Sequence, residues 1–345
     1  MTNFSIEKRS IGTDYKPYFI AEMSCNHNQS LENALNIVKI AKNFGADAVK
    51  IQTFSADSMT INSNKDDFII DDRNSLWFGR NLYDLYSEAQ INWDWVKKIF
   101  DLSKELDIQC FSSVFDEKSL DFLEDLNTPA YKIASFENNH LPLIKNVCST
   151  HKPVIISTGG CTEDEIDEIV ENAREAGCRE LAILKCTSDY PADVQDVNLL
   201  TIPYMRKKFG CEIGLSDHTK GIGTSIGAIA HGASIIEKHF LPKYIKKSLD
   251  SGFSINEEIF GLLIKEGINA WKSLGKINFE LSRSEINNLK FKRSIYACAK
   301  IEIGEVFTNS NIKIIRPGMG AKPKNFDKLI GKKSNKKYEV GDPIN

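Results

Sequence analysis

Three lysines stand inside runs that are otherwise apolar: Lys50 in AVKIQTF (48–54), Lys132 in AYKIAS (130–135) and Lys185 in LAILKCTS (181–188). A lysine turned into a protein interior is costly unless an anion meets it. Any one of them alone reads equally well as a snorkelling or salt-bridged side chain. Three together, with Ser113, Ser135, Ser157 and Ser216 at the ends of neighbouring runs, ask for a phosphate and a carboxylate at once. A Schiff-base lysine is the rival use for one of them, and the surrounding hydroxyls suit it less well than a polyanion.

His218 and His239 close two successive apolar runs, CEIGLSDH (211–218) and SIIEKHF (234–240). Two imidazoles with a carboxylate nearby, Glu237 or Asp217, and open positions form a candidate Mn²⁺, Fe²⁺ or Zn²⁺ site. The plainer alternative is a pair of satisfied structural histidines. Glu237 and His239 are two apart on a strand and therefore share a face, which favours the metal reading. Glu22 in YFIAEMS (18–24) is a candidate acid–base group with a raised pKa, or simply the partner of Lys50. His140, His151 and His231 read as surface or packing residues.

These groups need a frame. From residue 17 to about 275, eight β-rich runs alternate with helical patterns; the remaining runs are IQCFSS (108–113) and PVIISTG (153–159). Helical stretches such as LENALNIVKIAKNFGA and EDEIDEIVENAREAG reach Gly before the next run, the usual helix stop. That rhythm predicts an α/β fold, a (β/α)8 TIM barrel. A doubly wound open sheet is disfavoured because no G-x-G-x-x-G follows the first strand. In such a barrel the chemistry comes from the C-terminal strand ends, and here every strand delivers a polar or ionisable group there. The long insertion 55–95, polar and then aromatic (Trp77, Phe78, Tyr83, Tyr86), is expected to shape a pocket. The barrel domain is read as 1–275, a linker as 276–290, and 291–345 as a small β-rich domain with a lysine-rich, solvated face.

The chain has 345 residues, 41% hydrophobic and 26% charged, with a net charge of −3. Mixed charge without a basic excess argues against nucleic-acid or membrane-surface binding. No run approaches the length of a membrane helix, and the first residues lack a signal-peptide apolar region. The eight cysteines are scattered, with no C-x-x-C pair, as in a reduced cytoplasmic chain with buried thiols.

FIAEMSCNHNQSLENALNIVKIAKNFGADAVKIQTF resembles the opening of the sialic acid synthase family, and YKIASFE, ISTGG, GLSDHTKGIG and GASIIEKHF follow in that family's order. KRSIYACAKIEIGEVF and IIRPGMG resemble its antifreeze-like (SAF) domain. Within the family, KIQTFSADSMTINSNKDDFII, NLYDLYSEA and QCFSSVFDEKSLDFLEDL are most like the pseudaminic acid synthase branch. Departures are Cys25–Ser30, where members commonly carry Gly or Ala around the histidine, and the wording of SLDSGFS (248–254).

The resemblance implies a phosphoenolpyruvate-dependent carbon–carbon bond-forming transferase. It would condense phosphoenolpyruvate with 2,4-diacetamido-2,4,6-trideoxy-L-altrose. It implies His218 and His239 as ligands of Mn²⁺ or Mg²⁺, and Glu22 as the carboxylate near the reacting carbons. Lys50, Ser113, Lys132, Ser135, Ser157, Ser188 and Ser216 would hold phosphoenolpyruvate, while Gln52, Tyr190 and Asp250 would face the sugar. Arg316 is similar to an arginine that the SAF domain inserts into the other subunit's site, which implies a domain-swapped homodimer. The alternatives are an N-acetylneuraminate or legionaminate synthase, a metal-dependent aldolase using pyruvate, a non-catalytic sugar-binding protein, and an ice-binding use of the tail.

Overall fold

The computed structural model describes residues 4–345, in two compact units that divide after Gly275. In the first unit a short antiparallel hairpin, β1 (Phe4–Ile6) and β2 (Arg9–Ile11), precedes eight parallel strands. These are β3 (Tyr18–Glu22), β4 (Ala48–Thr53), β5 (Gln109–Val114), β6 (Tyr131–Ile133), β7 (Val154–Ser157), β8 (Leu181–Cys186), β9 (Glu212–Asp217) and β10 (Ile235–His239). They close in chain order, with β10 hydrogen-bonded to both β9 and β3. The expected TIM barrel is the observed one.

The intervening helices form for local reasons. Leu31–Asn43 is capped by Ser30, which accepts from the Asn33 amide, and it buries Ala34, Ile37, Val38 and Ala41 on one stripe. Glu163–Glu175 opens with a capping box between Thr162 and Glu165, and buries Ile166, Ile169, Val170 and Ala173. Gly45 and Gly177 follow these helices with φ of +94° and +91°, a conformation in which a β-carbon would be strained.

The period of two along each strand separates two layers. Phe19, Val49, Cys110, Ile156, Ile183 and Leu215 face outward and pack under the helices. Tyr18, Ile20, Ala48, Phe111, Ile155 and Leu184 face inward and fill the lower interior, and Phe4, Ile6 and Ile11 of the hairpin join that cluster. The hairpin was not anticipated: three-residue strands are too short to show a period. Above the apolar layer the interior positions turn polar, with Glu22, Lys50, Ser113, Lys132, Ser157, Ser216 and Glu237 all buried. Apolar residues fill the barrel below, and chemistry occupies its C-terminal end.

The same alternation corrects two expectations. Lys185 shares a face with Leu181 and Ile183 of the outer cluster, and its Nζ donates to the Cys186 carbonyl (3.1 Å) and to Thr187 Oγ1 (3.3 Å). It is half-buried outside the barrel, so two lysines and not three enter the interior. Asp217 also faces outward. It accepts from the Thr219 amide and hydroxyl and from Ser225, and pairs with fully buried Lys238 at 2.9 Å. Asp217 therefore does not join the histidines.

The second unit carries the helix Arg283–Asn288 and an antiparallel pair, β11 (Ser294–Ala297) and β12 (Ile312–Ile315). Its core is Ile295, Ala297, Ile301, Phe307, Ile312, Tyr338 and Ile344. The rest of the sheet pattern consists of isolated bridges such as Ile301↔Tyr338 and Val306↔Lys333. Lys322, Lys324, Lys328, Lys332, Lys333, Lys336 and Lys337 are all exposed. All eight cysteines are free thiols. Among the described residues no helix is long and apolar enough to cross a membrane.

Candidate active site

β3, β4, β6 and β10 bring four opposite charges into one buried network. Lys50 Nζ lies 2.6 Å from Glu22 Oε2, 3.7 Å from Glu237 Oε1 and 3.0 Å from Ser113 Oγ. Lys132 Nζ lies 3.8 Å from the same Glu237 oxygen and donates to Ser157 Oγ at 2.7 Å. Ser216 donates to Glu237 Oε1, and Gln52 Nε2 donates to Glu22 Oε1 at 2.8 Å. One oxygen on each carboxylate, Glu22 Oε2 and Glu237 Oε2, accepts no hydrogen bond, although the first is ion-paired with Lys50.

The two lysines differ electrostatically. Burial opposes the charge on Lys50, but Glu22 and Glu237 outweigh it and its pKa rises. For Lys132 burial wins over Glu237, with Lys50 adding repulsion, and its pKa falls. Glu237 is also desolvated, yet Lys132, Lys50 and both nearby histidines pull its pKa below the ordinary carboxylate value. Lys132 is thus a buried cation whose charge the protein alone under-compensates, the condition expected of a group that waits for an anionic ligand.

His218, just past the end of β9, and His239 at the end of β10 approach with ring centres 5.4 Å apart. His218 Nδ1 is 2.9 Å from the Thr187 carbonyl. A carbonyl only accepts, so Nδ1 carries the proton and Nε2 of the neutral ring keeps its lone pair. His239 Nδ1 sits 3.3 Å from Asp250 Oδ2, an ion-pair distance without hydrogen-bond alignment. Asp250 is desolvated, but His239 together with Ser24 and Cys25 holds its pKa low. Aromatic rings roof the histidines: Tyr190 stacks on His218 at 4.4 Å and Phe253 lies 4.7 Å from His239.

Ser135 and Ser188 converge on the β7 end. A β-carbon at Gly159 would stand 2.7 Å from Ser135 Oγ and closer still to Ser188 Oγ, so only glycine fits there. Cys186, the inward residue at the end of β8, touches both hydroxyls and lies 3.9 Å from His218 Nδ1. Burial raises this thiol, but His218 and the two serines bring it down to about 7. Of the residues expected at the site, Glu22, Lys50, Gln52, Ser113, Lys132, Ser135, Ser157, Ser188, Tyr190, Ser216, His218, His239 and Asp250 gather at this end of the barrel. Arg316 is exposed on the second unit, directly after β12.

Three groups escaped the sequence reading. Cys186 took the inward place assigned to Lys185, one residue away on the same strand. Glu137 ends the turn Ser135–Glu137 after β6 and is half-buried. Burial pushes its pKa up to about 7 against its own backbone amide, Lys132 and Lys50. The signal was present, since Glu137 stands two residues beyond Ser135 in YKIASFE. Phe253 lies in a segment without period between β10 and the helix Glu257–Leu274. Among the described residues no group of three or more His, Cys, Asp and Glu side chains is assembled as a ligand cage. The donor types nevertheless fit a divalent cation: the imidazole of His218 with Nε2 free in the neutral form, the neighbouring imidazole of His239, and the unpartnered Glu237 Oε2.

Comparison with known proteins agrees with this architecture. Residues 37–279 match the NeuB family and residues 292–345 match the SAF domain. The chain is 42% identical over 335 residues to the pseudaminic acid synthase of Campylobacter jejuni, covering 97% of both chains. It is 37% identical to the pseudaminic acid synthase of Helicobacter pylori, covering 95% of this chain and 96% of that one. The crystal structure of an N-acetylneuraminic acid synthetase from Leptospira borgpetersenii superposes with a TM-score of 0.74 at 26% identity, covering 84% of this chain and 95% of that one. The barrel that carries the inward lysines and paired histidines and the C-terminal SAF unit both match known proteins, and the chain belongs to the NeuB family.

Proposed function

We propose that the chain is a pseudaminic acid synthase, condensing phosphoenolpyruvate with 2,4-diacetamido-2,4,6-trideoxy-L-altrose and water to give pseudaminic acid and phosphate. The observation that carries the reading is the pair of buried lysines, Lys50 and Lys132, at one level of the barrel beside two histidines. The choice of sugar is supported by the 42% identity to a pseudaminic acid synthase over almost the whole chain.

In this reading Lys132 and Lys50 face the carboxylate and phosphate of phosphoenolpyruvate, and the hydroxyls of Ser113, Ser135, Ser157, Ser188 and Ser216 orient the two anions. In a site shielded from water such pairing is far stronger than in solution. C3 of phosphoenolpyruvate bonds to the aldehyde carbon, which leaves positive charge at C2. Water adds at C2, and the C2–O bond to phosphate breaks. Glu22, ion-paired with Lys50 through Oε2 at 2.6 Å, is the carboxylate that would move a proton to or from the sugar or the water. Glu137, with a pKa near neutrality, is suited to the same work at the mouth. Gln52, Tyr190 and Asp250 face the sugar.

His218 and His239 would hold a divalent cation, Mn²⁺ or Mg²⁺, which when bound supplies Lewis acidity at the aldehyde oxygen. The proposal extends to a cytoplasmic, domain-swapped homodimer in which Arg316 of the partner subunit completes the sugar site. That extension rests on family resemblance. Phosphoenolpyruvate labelled with ¹⁸O at the bridging oxygen tests the chemistry. The label is expected in phosphate, with one nine-carbon acid formed per phosphate. Label retained in the acid, or turnover of pyruvate without phosphate, overturns it.

A further inference from the structure

The insertion between β4 and the helix Leu82–Ala89 folds back on itself. The Ile70 amide donates to the Arg80 carbonyl and the Gly79 amide to the Ile70 carbonyl, which presents Leu76 and Trp77 at the turn. That turn docks on the segment after β10. Trp77 Nε1 donates to the Leu249 carbonyl at 3.3 Å, and a β-carbon on Gly252 would stand 2.8 Å from Leu76 Cδ1. The indole then stands 5.9 Å from the Tyr190 ring and 6.4 Å from Phe253.

These contacts set a direction. His218 lies 4.4 Å from Tyr190, and Tyr190 lies 5.9 Å from Trp77, so the rings form a wall leading outward from the histidines. A six-carbon sugar whose aldehyde lay at the histidines and that followed this wall would bring its far end, C6, toward the indole. The only polar atom of the indole is spent on Leu249, so its free faces offer carbon alone. A methyl group at C6 gains apolar contact with the ring, whereas a hydroxyl gains no hydrogen bond from it.

We propose that Trp77 is a specificity-determining residue that selects a sugar deoxygenated at C6. The inference rests on the synthase reading and adds the group that distinguishes 6-deoxy from 6-hydroxy substrates. An apolar contact of this kind discriminates by roughly 10–100-fold.

The test compares two altrose-configured diacetamido sugars that differ only at C6, methyl against hydroxymethyl, by phosphate release in the full-length enzyme. Wild type should favour the 6-deoxy sugar by roughly 10–100-fold in kcat/KM. Trp77→Ala should lower kcat/KM for that sugar much more than for the 6-hydroxy sugar and so collapse the ratio. Trp77→Phe should keep most of the preference. An unchanged ratio in Trp77→Ala, or an equal loss on both sugars, overturns the role of Trp77 and leaves the synthase reading standing. Failure of the wild type to release phosphate with either sugar overturns both.

Discussion

Replacing Lys132 by methionine separates what the lysine does for the fold from what it does for substrate. Lys132 is 2% exposed, and burial outweighs Glu237 in setting its pKa below the ordinary lysine value. The sign follows: a lysine whose folded pKa is lowered is a charge the folded state does not favour at neutral pH. Methionine is similar in length and carries no charge to desolvate, and Glu237 keeps Lys50 and Ser216 as partners. Apolar replacement of buried ionic groups is often neutral or stabilising by about 1–4 kcal/mol. Phosphoenolpyruvate, in contrast, loses a cation. Two unit charges about 4 Å apart at an effective dielectric of about 20 attract by about 4 kcal/mol. That corresponds to a factor on the order of 10³ in rate.

Lys132→Met is therefore expected to lose on the order of 10³ in kcat/KM for phosphoenolpyruvate while melting, without substrate, at or above the wild-type temperature. Lys50→Met reverses the stability half. Its removal strands Glu22, whose nearest cation is Lys50 at 2.6 Å, and costs about 3–5 kcal/mol. At about 2–4 °C per kcal/mol that lowers the melting temperature by roughly 10 °C. Phosphate-release kinetics over a phosphoenolpyruvate series and thermal melts of the substrate-free proteins read both quantities. A Lys132→Met protein that melts as low as Lys50→Met, or keeps kcat/KM within about tenfold of wild type, refutes the reasoning.

His239→Ala is expected to abolish turnover and the Mn²⁺ binding isotherm in calorimetry while the circular dichroism stays native; full activity in this variant would remove His239 from the chemistry. Glu137, at about 7 in the fold against 4.5 for a free side chain, contributes stability below pH 4.5 that is lost as pH rises through 7. The loss is about 3 kcal/mol. Glu137→Gln should flatten that slope in denaturation curves and erase the inflection near pH 7 in kcat/KM, and a slope that persists would move it to other groups. Asp217→Asn strands buried Lys238 and should cost about 3–5 kcal/mol while leaving Mn²⁺ affinity and KM unchanged. Lost Mn²⁺ binding in the still-folded variant would contradict the outward placement of Asp217.

The barrel was legible because eight apolar runs of strand length alternate with capped amphipathic helices, and each predicted run falls on a strand within a few residues. The site was legible wherever a polar residue interrupted a run at an inward position, as Glu22, Lys50, Lys132 and Glu237 do. Lys185 shows where that reasoning fails. In a strand buried on both faces every neighbour is apolar, so the run itself does not reveal which parity points inward. Asp217 failed for the same reason, standing between two inward residues, Ser216 and His218. Glu137 and Phe253 lie on turns and loops whose path depends on docking against distant segments, and Trp77, expected only as part of a pocket-shaping insertion, docks through the Leu249 carbonyl that receives the indole. No local period encodes such contacts. The β1–β2 hairpin was hidden because its three-residue strands carry meaning only against the barrel floor they cover.

The most direct test of the central claim is phosphate release from phosphoenolpyruvate with Mn²⁺ and each of three sugars. These are 2,4-diacetamido-2,4,6-trideoxy-L-altrose, its mannose-configured counterpart, and N-acetylmannosamine. The account predicts release with the altrose sugar and little with the other two. Release with another sugar instead would keep the lysine-centred chemistry and reject the assigned substrate, and no release with any of them, in protein shown to bind Mn²⁺, would contradict the account itself.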